Sequence, residues 1–170
     1  MSKKARKKRS KPLKVTKEKA TVAIPSKPEL GDLDEQTIRI LAILGVEDEE
    51  EAEANDENME SFRIYLKQNL ELPCLVTGIE DFRWEEFYVI GPGDPNEYEK
   101  LKKTRPSYTD KFEIMNFEDD YDDEGLLVNV QRVSDKKKFT LPLSELEAVD
   151  KKSRNAELLD DYSVWFVNYR

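Results

Sequence analysis

Apolar positions along this chain form short patterned runs, separated by long charged stretches. Leu33 to Leu44 reads as a short helix with Ile38, Leu41 and Ala42 as its apolar stripe. Asp32 and Glu35 stand three apart like a capping box, and Gly45 follows where a C-cap glycine belongs. Such a helix packs on the main domain or docks on a partner, and the pattern suits both. A second helix should begin near Asp56, where acids meet a favourable dipole. It continues through Met59, Phe62, Tyr65, Leu66 and Leu70, and Pro73 stops it.

The remainder reads mainly as strands. Cys74 to Ile79 is one apolar run, and Trp84 to Ile90 is another, rich in aromatic and β-branched residues. That reading puts Glu85 and Glu86 on opposite faces of a strand. Gly91 to Pro95 is turn chemistry, and Glu97 to Lys103 suggests a helical turn before Pro106. Lys111–Phe117 and Leu126–Val133 should pair around an acidic turn, Glu118–Gly125, with Leu126, Val128 and Val130 facing inward. After a tight turn at Ser134–Lys136, Phe139, Leu141 and Leu143 alternate again. Leu158, Tyr162, Trp165, Phe166 and Tyr169 share one face of a closing helix, capped by Ser153 or Asn155. Strands without regularly interspersed long helices disfavour a doubly wound parallel sheet. A small bent antiparallel sheet or barrel, in an α+β domain, is the expected class.

Charge divides the chain further. The 170 residues include 28 basic and 37 acidic side chains, a formal charge of −9. Residues 1–27 hold eleven Lys or Arg against Glu18, a balance of +10, so the other 143 residues carry −19. The arm lacks apolar periodicity and should be disordered. It suits nucleic acid or another polyanion, or serves as a solubilising tail. Glu47 to Glu60 holds nine carboxylates in 14 residues, and repulsion there should keep the first half extended or frayed. The organisation expected is a basic arm (1–30), a short helix with an acidic linker (31–55) and a globular domain (56–170).

Composition also removes chemistry. There is no histidine, so imidazole bases and Ser-His-Asp or Cys-His pairs are excluded. A single cysteine, Cys74, leaves no intrachain disulfide and points to a reducing, cytoplasmic setting. It reads as a buried, inert thiol, and Trp84 and Trp165 read as core. No Gly-Lys-Ser/Thr follows the glycines at 91 and 93, no run is long enough to span a membrane, and no enzyme motif emerges. Carboxylate oxygen remains, and it suits hard cations, calcium before magnesium. Asp120-x-Asp122-x-Glu124-Gly125 matches the start of an EF-hand loop, but position 12 is Gln131 and the flanks read as strands. The loop is therefore a weak non-EF calcium site or a solvated hairpin tip. One of Asp160 and Asp161 should face solvent.

Certain segments resemble the cyanobacterial-type CcbP calcium-binding family. They are Asp56-Glu57 leading into Tyr65–Pro73, the strand pair Leu127–Val130 and Phe139–Leu146, and the helix Asp161–Val167. The resemblance implies a small calcium-binding protein without EF-hands that uses clustered surface carboxylates; with −19 over 143 residues, the expected role is non-enzymatic, a low-affinity calcium buffer or sensor. It implies a bent SH3-like sheet between an N-terminal and a C-terminal helix. Candidate metal ligands are Asp56, Glu57 and Glu60 at the helix start, and Asp119, Asp120, Asp122, Asp123 and Glu124 at the acidic turn. The competing reading is an adaptor whose arm contacts nucleic acid or another polyanion while the acidic domain binds a basic protein partner.

Overall fold

Alternation decides the sheet. Leu126, Val128 and Val130 are buried on one face of a strand while Leu127, Asn129 and Gln131 between them are less so. The computed structural model describes residues 33–170. The basic arm at 1–30, expected to be disordered, lies outside those residues. In chain order the elements are α1 (Glu35–Leu44), a 3-10 turn (Glu49–Ala52), α2 (Asp56–Asn69) and β1 (Cys74–Gly78). There follow α3 (Glu86–Val89), α4 (Pro95–Leu101), β2 (Phe112–Asp122), β3 (Gly125–Arg132) and β4 (Lys138–Pro142). A second 3-10 turn (Leu143–Glu145), β5 (Leu146–Ala148) and α5 (Arg154–Asn168) complete the described chain. The five strands form one antiparallel sheet in the order β4-β3-β2-β1-β5.

α5 supplies the centre of the core. Ser153 accepts the Ala156 N–H and starts the helix, which buries Leu158, Tyr162, Trp165 and Phe166. Phe62 of α2 stacks on Trp165 at 4.7 Å between centroids and meets Tyr162 edge-on. Ile40, Leu41 and Leu44 of α1 join the same cluster. Arg39 grips the buried Asp161 through two bonds of 2.9 and 2.8 Å, whereas Asp160 is exposed, as the sequence suggested for one of the pair.

Several local expectations change. Asp34 caps α1 by accepting the Thr37 N–H, while Asp32, expected as the cap, lies outside the described residues; Ile40 and Leu44 take inward places assigned to Ile38 and Ala42. The linker forms a turn rather than an extended segment, because Ala52 is fully buried and its carbonyl accepts the Trp165 indole N–H at 2.7 Å. Trp84–Ile90 is not a strand. Glu85 is fully buried, and its carboxylate accepts Tyr98 and Ser107 hydroxyls at 2.7 and 2.6 Å and the Tyr108 N–H at 2.8 Å. Closing that shell coils residues 86–89 into a helical turn. The acidic turn also shrinks: β2 runs on to Asp122, leaving only Asp123 and Glu124 between the strands.

Candidate cation site

The acidic candidates sit on two elements far apart in sequence. Asp56 and Glu57 occupy the first turn of α2, where unpaired backbone N–H groups and the helix dipole favour anions. Glu60 follows one turn later on α2, and the other five belong to the β2–β3 hairpin. Its register slips between Phe117 and Tyr121, so Glu118–Asp120 bulge out of the ladder. Gly125 closes the hairpin at φ +90°, and a side chain there would collide with the Tyr162 hydroxyl. That hydroxyl accepts the Leu126 N–H at 2.7 Å and so fixes the hairpin tip to α5.

Tyr121 joins the two acidic segments by donating its hydroxyl to Asp56 Oδ1 at 3.1 Å. Beside this bond lies a depression of about 350 Å³, whose walls include Asp56, Tyr121, Asp122, Asp123, Phe166 and Arg170. Three candidate carboxylates therefore share one hollow. Glu57 and Asp120 are exposed outside it. Glu60 is held by Arg63 through two 2.7 Å bonds, which keep its carboxyl below the usual range. Asp119 has a 93% exposed side chain and lies 3.7 Å from Arg63 and 3.6 Å from Lys67. Asp122 also accepts the Glu124 N–H at 2.9 Å, which closes the turn.

Glu124 lines a separate hollow with Glu145 and Trp84. Burial, followed by repulsion from Glu124 and Glu80, pushes the Glu145 carboxyl upward. The sequence singled out neither Glu145 nor Glu80, since neither stands in a dense acidic run. Among the described residues, no three His, Cys, Asp or Glu stand as a ready-made metal cage. Asp56, Asp122 and Asp123 suit a hard cation that keeps part of its water shell. Cys74 is buried and its thiol is pushed up by that burial, which suits an inert role.

Comparison with known proteins adds a partial match to one family model. The model of the calcium-binding CcbP family, described as calcium binding, matches residues 95–166. The match spans the hairpin and the strand pair that carry the CcbP resemblance in the sequence, and it reaches Phe166 of α5; Asp56 and Glu57 lie before it. A solved structure described as a calcium binding protein in the calcium-binding form is 22% identical, with a TM-score of 0.47, over 78% of this chain and 89% of its own. The crystal structure of Anabaena CcbP is 23% identical, with the same score of 0.47, over 79% of this chain and 91% of its own. No curated protein matches the chain. Among the described residues, no helix is long and apolar enough to cross a membrane.

Proposed function

We propose that the chain binds calcium weakly in the hollow between the start of α2 and the β2–β3 hairpin, as a buffer or sensor. The observation that carries this reading is the Tyr121–Asp56 bond, which holds two acidic segments together. The match to a family described as calcium binding, across the hairpin, supports the same ion. Asp56, Asp122 and Asp123 are the inner ligands. Glu57, Asp120 and Glu124 add field from outside, while Glu60 and Asp119 must first leave their basic partners.

The physical motive is self-repulsion. Residues 28–170 carry −19, and a divalent cation relieves part of that cost. Few protein ligands leave much of the shell to water, which places affinity at roughly 10⁻⁴–10⁻³ M. Calcium tolerates such irregular geometry better than magnesium, which demands a near-ideal octahedron. An SH3-like description of the scaffold is supported by the strand order and by the 3-10 turn before β5.

Isothermal titration of the full chain tests the reading. A saturating calcium heat is expected, absent with magnesium and lost in the combined variant Asp56→Asn, Asp122→Asn, Asp123→Asn. Equal heats for both ions, unchanged in that variant, would overturn it.

A further inference from the structure

The opposite end of the sheet carries the opposite charge. Residues 100–105 (Lys-Leu-Lys-Lys-Thr-Arg) and 136–138 (three lysines) contain seven bases and no acid. One spans the end of α4 and the turn after it, the other the turn into β4, and a buried arginine brings them together. Arg132, 3% exposed, reaches the carbonyls of Lys102, Lys103 and Arg105 at 2.9, 3.1 and 2.9 Å. Its other bonds go to Asp110 and Asp135. Lys137 also donates its ammonium to the Lys103 carbonyl. The nearby acids are engaged: Asp110 and Asp135 with Arg132, and Glu99 with Lys102 at 2.8 Å. The surface thus keeps a local positive excess in a chain whose net charge is −9.

We propose that this basic end binds the phosphate backbone of a nucleic acid, without reading its sequence. The carboxylates of the hairpin do not cancel its field, because the eight residues of β3 separate the two ends by about 23 Å. That exceeds the screening length of about 8 Å at physiological salt. Six of the seven bases are lysines, point charges without the planar fork by which arginine reads a base edge, which suits contact with phosphates and no sequence readout. Base stacking is not the mode. Tyr98 stacks on Tyr88 and lies under Lys102, and Arg105 covers Trp84, so these rings already have partners. The basic arm at 1–27 is a second acid-poor segment on the same chain, and a long phosphate polymer is the partner that can engage both.

The test uses the full chain and fluorescence anisotropy with a labelled 30-base-pair DNA duplex and an RNA of equal length, across a salt series. The variant Lys103→Gln, Lys136→Gln, Lys138→Gln leaves the Glu99 and Arg132 contacts in place, and its amide NMR spectrum should confirm the native fold. It should bind at least about tenfold more weakly at 0.1 M salt, with a log–log salt slope smaller by about 2–3 on the duplex. Neutralising the arm's Lys3, Lys4, Arg6, Lys7, Lys8 and Arg9 is the second variant. If only the arm variant loses binding, or if the unaltered chain binds neither polymer, the proposal fails. It also fails if polyglutamate competes as well as nucleic acid at equal charge, which would assign the surface to acidic protein.

Discussion

The two ends of β3 handle charge in opposite ways. At the basic end, Arg132 is buried and pulls two loops together with two carboxylates and three carbonyls. At the acidic end, Asp119, Asp120, Asp122, Asp123 and Glu124 are exposed. They lie around a hairpin whose own fixed points are neutral groups: the Tyr162 hydroxyl, the Tyr121 hydroxyl and Gly125. One end is organised by an internal counter-charge and is finished when the chain folds. The other is organised by phenols and leaves its carboxylates exposed, with Asp119 beside two basic side chains, Arg63 and Lys67. Density of charge alone distinguishes neither; what differs is whether the neutralising group is part of the fold.

Removing the internal counter-charge should have the largest effect. Arg132→Ala strands the Lys102, Lys103 and Arg105 carbonyls and the Asp110 carboxylate, at a cost of about 3–5 kcal/mol. That lowers the melting temperature by roughly 10 °C. Shifts in the amide spectrum should concentrate at 101–111 and 133–138 and spare the hairpin tip. A uniform response over both ends would show that they are not independent.

Loosening the acidic end should cost less. Tyr162→Phe removes the acceptor of the buried Leu126 N–H, at about 1–3 kcal/mol. Hydrogen exchange at Leu126 should accelerate while exchange at Arg132 holds. Protection unchanged at Leu126 would mean that the hydroxyl does not fix the tip.

The smallest effect tests repulsion. Glu145 has a raised carboxyl pKa in the fold, so its charge penalises the folded state above that value. Below about pH 4 the carboxyl is protonated folded or unfolded, and the penalty is absent. Glu145→Gln should therefore raise the melting temperature at pH 7 by about 1–3 °C and change nothing below pH 4. A gain that persisted in acid would point to packing rather than charge.

The sequence made much of this legible where periodicity and burial coincide. β3 follows its alternation, α2 runs from Asp56 to Asn69, and α5 presents the expected face behind the Ser153 cap. What it hid depends on partners distant in sequence. Trp84–Ile90 has strand composition, but Glu85 is satisfied by donors 13 to 23 residues further on, and that contact overrides local preference. Ala52 carries no periodic signal, yet Trp165 anchors it from 113 residues away. The proposed acidic site was half legible: both segments stood out by charge, but the hollow beside the Tyr121–Asp56 bond, which Asp56, Asp122 and Asp123 line, left no mark in the sequence. The basic end left a plain mark in composition, seven bases in two short segments, without a sign that Arg132 would join them.

Amide NMR of the full chain, titrated with calcium and with magnesium as control at physiological ionic strength, tests the cation site most directly. Saturating calcium shifts are expected at Asp56, Glu57 and Tyr121–Glu124, not reproduced by magnesium and absent from 100–105 and 136–138. Diffuse shifts of equal size with both ions, spread over every carboxylate surface, would contradict a site and leave only charge screening.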